Sequence, residues 1–411
     1  MKTEFAIVLF GAFLPLASCG GSAAISGGSS GSGGTATTPA WTSVTVPSMI
    51  GTSGANGASY NVEPDGYLYA EVYSETLPNN VNFMLRTSAT NPGTWTDITG
   101  AGLSNPAELM GAMGMTSGGT ILVTVYPAAG GIANVFAWNG STTSPVWTKV
   151  TGWNGVSSSL IYGFTNDSAG NTYFSPAYSG DIWRNSVANP LNFTRVQANL
   201  YGVTNGGGPG HPNTGGIYAM SVFNLNDGKG DMIWACGEGE LDNIALSFAA
   251  STNIAYLTAA EGYTGNCTAI DKSATTILAI RGGLNSIPIA TANPNAPRTT
   301  TLHTNFYPRT PTGFPGHLDD NLVDTLHWVS GTNWILNDRD SATTLTYLLL
   351  STDDGNTWTD MTAVSGINSS CQGANLSIGA VTTSALTSSS GQYIYARCQN
   401  GAVLWRYGPL S

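Results

Sequence analysis

Seven times along the chain, a short turn of small or polar residues runs straight into an apolar strand. The first three copies are Asp65-Gly66 before Tyr67-Leu68-Tyr69-Ala70, Gly118-Gly119 before Thr120-Ile121-Leu122-Val123, and Ala169-Gly170 before Asn171-Thr172-Tyr173-Phe174. Gly230-Asp231 precedes Met232-Ile233-Trp234-Ala235, and Ser273-Ala274 precedes Thr275-Thr276-Ile277-Leu278. Gly331-Thr332 before Asn333-Trp334-Ile335-Leu336 and Ser390-Gly391 before Gln392-Tyr393-Ile394-Tyr395 complete the series. The copies are spaced by about 45 to 60 residues, the size of a four-stranded propeller blade. One such unit cannot bury both of its faces, so the units must stack on one another.

A second series runs in phase with the first. It comprises Trp41-Thr42-Ser43-Val44-Thr45, Trp95-Thr96-Asp97-Ile98-Thr99, Trp147-Thr148-Lys149-Val150-Thr151, Phe193-Thr194-Arg195-Val196 and Trp358-Thr359-Asp360-Met361-Thr362. Each reads as the outer strand of a blade; copies near 248 and 300 are too degraded to place. Trp41 precedes any complete blade, and the last blade ends at Leu404-Trp405-Arg406-Tyr407 with no such strand after it. Both facts are met if residues 41–45 form the outer strand of the last blade, because closing the ring removes an exposed sheet edge. The expectation is an all-β, seven-bladed propeller of four-stranded antiparallel blades.

Composition agrees, with 52 glycines and only 9% charged residues. Thirteen Lys and Arg against a formal net charge of −11 exclude a phosphate-backbone partner such as nucleic acid.

The N-terminus carries an address. Lys2 is followed by an apolar run from Phe5 to Leu14, too short to cross a bilayer, and then by Leu16-Ala17-Ser18-Cys19. That tetrapeptide resembles the bacterial lipobox, which implies cleavage before Cys19 and diacylation of its thiol. Glu4 departs from the usual positive n-region, and Gly20 after the Cys implies outer-membrane sorting in a Gram-negative host. The expected organisation is a signal peptide at 1–18, a lipidated Cys with a Gly/Ser linker at 19–39, and one propeller domain at 40–411. Such a linker reaches roughly 25 Å as a flexible coil. The protein is therefore expected to be exported and lipid-anchored, at the outer membrane or cell surface, as a monomer.

Ser351-Thr352-Asp353-Asp354-Gly355-Asn356-Thr357-Trp358 lies between two strand-like runs and resembles the Asp-box of the sialidase-like (bacterial neuraminidase repeat) propellers. The resemblance implies a hairpin turn between the third and outer strands, with Ser351, Asp353, Gly355 and Trp358 as structural residues. That places the octapeptide on the face opposite the longer loops. Four cysteines remain beyond Cys19, allowing three pairings. Cys371–Cys398 is favoured, with Cys236–Cys267 as its complement, because the start of an inner strand faces the end of its antiparallel neighbour. Reduced thiols are the alternative.

Chemistry is expected on the long-loop face of blades 4 to 6, where much of the scarce charge falls. Glu238, Glu240 and Asp242 there suit acid–base work in glycoside cleavage, or simply form a solvated loop. Arg281, Arg309 and Arg339 from successive blades could clamp a carboxylate, with Glu261 and Tyr263 beside them. True sialidases also carry an early Arg-Ile-Pro or Arg-Leu-Pro motif, absent here, so sialidase activity is not expected. His211 and His317 share a Pro-Gly-His context. His317, with Tyr307 and Arg309 nearby, suits a polysaccharide lyase, or the two histidines are stiffened turn residues. His317, Asp319 and Asp320 lack metal-ligand spacing, and Asn224 to Asp231 fails the calcium-loop register, so no metal and no cofactor are expected. Loop aromatics Trp153, Tyr178 and Tyr201 could stack on sugars. The leading expectation is a binding module for a glycan or surface protein; the alternatives are a glycoside hydrolase or lyase using Glu238, Glu240, His317 or Asp319, and an envelope assembly scaffold.

Overall fold

A computed structural model of the chain describes residues 39–50, 56–74, 83–103, 108–127, 133–153, 161–176, 181–197, 217–224, 231–237, 244–247, 254–256, 267–281, 284–288, 301–302, 325–339, 346–361, 377–381, 392–398 and 401–410. These residues form seven antiparallel sheets of four strands each. The inner strands are Asn56–Val62, Glu108–Met115, Ile161–Asn166, Ile217–Asn224, Cys267–Lys272, Thr325–Ser330 and Ser377–Val381. The second strands are Tyr67–Ser74, Ile121–Pro127, Thr172–Pro176, Asp231–Gly237, Thr276–Arg281, Asn333–Arg339 and Gln392–Cys398. Every one of these coincides with a turn-to-strand copy read in the sequence.

Outer strands occupy Thr96–Asp97, Trp147–Lys149, Asn189–Gln197, Ile254–Tyr256, Thr301–Leu302 and Thr359–Asp360. The two degraded copies thus fall at 254–256 and 301–302. Blade 7 takes its outer strand from Ala40–Val44, which pairs with Val403–Leu410 from Ala40↔Gly408 to Val44↔Leu404. The sequence reading set this segment one residue later. Each blade touches the next, including blade 6 on 7 and blade 7 on 1, so the sheets close into a ring.

Strand alternation explains the packing. In blade 1, Ala58, Tyr60, Val62, Leu68, Ala70 and Val72 pack with Tyr395 and Leu404 of blade 7, while Tyr69 and Met84 pack with Met113, Ile121 and Val123 of blade 2. Fully burying such side chains stabilises by roughly 1.5–3 kcal/mol each, so the core lies between blades.

Polar latches stitch the same seams. Thr165 accepts the Val222 amide of blade 4 at 3.2 Å, Ser221 donates to the Ile270 carbonyl of blade 5 at 3.3 Å, and Asp271 accepts the Trp328 amide of blade 6 at 2.8 Å. At the rim, Asp231 of blade 4 accepts both the amide and hydroxyl of Ser168 in blade 3, each at 2.6 Å. Trp153, read in the sequence as a loop aromatic for sugars, is instead buried, edge-on to Phe174 and Trp183. Its indole N–H donates to the Ala133 carbonyl at 2.9 Å, so it serves packing.

Candidate functional site

The octapeptide at Ser351 is a closed hydrogen-bond unit. Ser351 Oγ accepts the Gly355 amide at 2.9 Å and donates to Asp353 Oδ1 at 2.8 Å. Asp353 accepts the Thr357 amide and hydroxyl at 2.8 and 2.6 Å, and the Trp358 indole donates to the Gly355 carbonyl at 3.0 Å. Asp354, at φ 60°, accepts the Trp334 indole at 2.8 Å, and from blade 5 the Thr276 hydroxyl at 2.8 Å and the Thr275 hydroxyl. Burial alone would raise the Asp354 carboxyl, but its donors Thr275, Trp334, Thr276 and Ser273 hold it below the usual carboxylate range. Ser351, Asp353, Asp354 and Trp358 thus all spend their side chains on bonds within the protein.

Most residues expected to carry chemistry lie outside the described residues: Glu238, Glu240, Asp242, Tyr263, Arg309, His317 and Asp319, with Tyr178, Tyr201 and His211. Arg281 and Arg339 are placed by backbone. Each ends the second strand of its blade, 5 and 6 respectively, on the rim opposite the Ser351 turn. Cys236 pairs with Ala219 and Cys267 with Arg281, so these two cysteines stand on that same rim of touching blades. Cys398 is buried and disulfide-bonded. Cys371 falls outside the described residues, so its pairing with Cys398 remains a proposal.

Two charged clusters were missed by the sequence reading. On the inner wall of blades 5 and 6, His327 Nδ1 stands 3.9 Å from Asp271 Oδ2, with 17% and 21% of the two side chains exposed. Asp271 accepts the Trp328 and Lys272 amides at 2.8 Å each, yet burial pushes its carboxyl up to about 7. Burial lowers His327 to about 4, keeping the imidazole neutral, and lowers the Lys272 ammonium as well. The arrangement sets a carboxyl poised near neutrality beside an imidazole that burial keeps neutral.

The second cluster lies in blade 1. Glu63 and Glu71 are each only 3% exposed, and Oε1 of each has no hydrogen-bond partner. Burial pushes Glu63 up to about 8, helped by Asp65; burial and the Glu63 charge raise Glu71 well above its ordinary value, against the pull of Arg397. Arg397 Nη1 donates to the Ala58 carbonyl at 2.6 Å and to Ser59 Oγ at 3.3 Å. The available signal was a charged residue inside an otherwise apolar strand, as at Glu71 within Tyr67–Ser74. In a chain with 9% charge such an inward rung is conspicuous.

Fold and geometry together define a closed seven-bladed propeller of four-stranded blades. Comparison of the sequence with protein families and with characterised proteins returns no match. Among solved structures the chain is similar to a catalytically inactive virginiamycin B lyase from Staphylococcus aureus with quinupristin. That likeness has TM-score 0.53 and 10% identity over 91% of this chain and 100% of the other. It is also similar to a streptogramin B lyase (TM-score 0.51, 9% identity, 90% and 97% covered) and to a Lactobacillus plantarum protein (0.51, 11%, 84% and 95%). Its fold neighbours therefore include lyases. At such identity the likeness establishes the propeller architecture alone.

Proposed function

We propose that the chain is a membrane-tethered, extracytoplasmic binding propeller of the sialidase-like repeat class. Its ligand is a glycan or a surface protein carrying carboxylates, held over the long-loop face of blades 4 to 6. One observation supports this most: Arg281 and Arg339 end neighbouring second strands on one rim, while the Ser351 turn on the opposite rim spends its side chains on itself and on blade 5. Guanidinium groups suit bidentate recognition of carboxylate. Cys19 lipidation and the 19–39 linker would hold this face near, but off, the membrane.

A glycan array and an envelope-protein pull-down test the reading. Arg281→Ala and Arg339→Ala should each weaken capture about tenfold or more. A blank array beside a pull-down that retrieves envelope proteins removes the glycan version, and capture indifferent to both substitutions removes the site.

A second reading, a polysaccharide lyase or glycoside hydrolase, is favoured by the Asp271–His327 pair on the inner wall. Reducing-end and ultraviolet-absorbance assays on a polysaccharide panel decide it. Turnover lost in His327→Ala would move the chemistry to the inner wall. Turnover lost in Glu238→Gln, Glu240→Gln or His317→Ala would assign it to the loops.

A further inference from the structure

Blade 3 differs from the rest of the ring at its outer edge. Its outer strand runs for nine residues, Asn189–Gln197, whereas the outer strands of blades 1, 2, 4, 5 and 6 have two or three and the closing strand of blade 7 has five. An outer strand shows one side of its backbone to its own blade and the other to whatever lies outside the ring. A long one is therefore a long row of donors and acceptors that the blade itself cannot answer.

Half of that row is already in use, and its partner shows which side is open. Thr151, in the chain leaving blade 2, forms a parallel bridge with Asn192. Its amide donates to the Leu191 carbonyl at 2.8 Å, and its carbonyl accepts the Phe193 amide at 2.9 Å. Leu191 and Phe193 thus turn these groups away from Ile182–Ser186, the third strand of blade 3, on which Arg184 pairs with Thr194. Backbone groups alternate sides along a strand, so the Phe193 carbonyl and the Arg195 amide and carbonyl point outward as well. Among the described residues no strand pairs with them, and Asn189–Gln197 ends its sheet. After Thr151 the chain turns inward at Gly152, at φ 80°, and buries Trp153 in the seam between blades 2 and 3. Pro190 lacks an amide but lies in the half that Thr151 covers. A register shift opposite Ile182 and Trp183 limits the open run, so it offers about two or three main-chain bonds.

The side chains beside the open run define what fits it. Of the five large apolar side chains exposed among the described residues, Val187, Leu191 and Val196 belong to this strand and the turn before it, and Val146 stands just before the outer strand of blade 2. Residues 147–151 and 187–197 contain Lys149 and Arg195 and no acidic residue, in a chain of net charge −11. Lys149 is exposed, and Arg195 keeps half its side chain in solvent while one nitrogen reaches Asp181 at 3.4 Å. From this edge we propose that blade 3 docks an extended acidic segment of another protein as a fifth strand. Carboxylates of the segment meet Arg195 and Lys149, and branched apolar residues between them cover Leu191 and Val196. Such strand addition draws affinity from main-chain bonds and specificity from alternate side chains. A second copy of this chain fits less well, because pairing the short open run with itself sets Arg195 beside its own counterpart. The edge is separate from the long-loop face, and the proposal stands whatever that face binds.

The test uses the full-length folded protein and a fluorescent peptide of about nine residues alternating Glu and Val. Anisotropy should show saturable binding that weakens as salt is raised. A Lys–Val peptide of the same length should bind at least about tenfold more weakly, and so should a fully N-methylated Glu–Val peptide. Arg195→Gln keeps the backbone amide and should lose much of the salt dependence. Arg195→Pro removes the amide as well and should abolish binding. If Arg195→Pro fails to fold, the methylated peptide carries the same expectation without altering the protein. Absence of saturable binding overturns the proposal. Equal binding of the methylated peptide also overturns it, because the contact would then not be a strand. Sedimentation that shows wild type self-associating, and Arg195→Pro not, would assign the edge to a second copy and overturn it equally.

Discussion

The turn at Ser351 and the interior of blade 1 each hold two acidic residues, and the protein treats the pairs in opposite ways. Asp353 and Asp354 sit on the surface rim, fully supplied with donors, and both are held below the usual carboxylate range; burial works against this and the hydrogen bonds outweigh it. Glu63 and Glu71 are deep, lack donors at Oε1, and are driven upward by burial. Charge count does not separate the pairs; the supply of N–H and O–H groups does. Where the backbone folds into a tight turn, amides converge and stabilise an anion. Inside a flat ladder the amides are consumed by the opposing strand, and a carboxyl must be protonated or find a cation.

Four measurements can break or sharpen this contrast. The largest effect is expected at Asp354→Ala, which removes the shared acceptor of Trp334, Thr275 and Thr276 and so loosens one latch between blades 5 and 6. Chemical denaturation should show a loss of about 3 kcal/mol. A loss as small as at an ordinary surface site would mean the latch is ornamental.

Next comes Gly355→Ala. Its φ of 85° disfavours any side chain, and an added Cβ would stand 2.6 Å from Leu278 Cδ1 in the adjacent blade. About 2 kcal/mol should be lost, seen as a lower denaturation midpoint at unchanged slope. Substituting Leu278→Ala in the same chain should recover part of the Gly355→Ala loss if the clash, rather than the backbone, dominates.

Glu71→Gln should behave in the reverse sense. At pH 8 it removes a buried carboxyl that resists ionisation, so stability should rise by about 1 kcal/mol. A fall of that size would show that the charge is answered in the folded state.

The smallest and most diagnostic effect is the pH dependence at Asp271 and His327. Asp271 is raised from 3.8 to about 7, so the unfolded chain releases this proton first, and the group's contribution declines as pH rises through that window. His327 is lowered from 6.5 to about 4, so its contribution is lost as pH falls from 6.5 toward 4. Between pH 4 and 6.5 the two oppose, which predicts a nearly flat stability profile. His327→Ala should unmask a decline with rising pH, whereas an unchanged profile would show that the pair does not titrate in this range.

Much of the fold was legible in the residues. Turn, strand and Trp-Thr spacing marked the second and outer strands, and an unpaired Trp41 strand anticipated ring closure to within one residue. Two outer strands could not be placed from the sequence because Ile254–Tyr256 and Thr301–Leu302 lack the Trp-Thr or Phe-Thr pair that signals the others. The candidate site was far less legible. Loop charges drew attention because they are clustered in sequence. Asp271 and His327 are 56 positions apart, and nothing local joins them. Trp153 illustrates the reverse error: an aromatic beside Gly152 reads as exposed, yet the ring folds blade 3 over it.

The sequence by itself determined the repeat, the period and the phase, because alternation and turn chemistry act over a few residues. It also determined the closed Ser351 turn, whose partners lie mostly within four positions of one another. Only the tertiary structure decided which charges are solvated, which are latches and which are stranded. Those outcomes depend on what the neighbouring blade presents, and that neighbour lies a whole repeat away along the chain. Asp354 and Glu63 are both carboxyls near a tight turn. One met two threonines across the seam and an indole of its own blade, while the other is buried with Oε1 unpartnered.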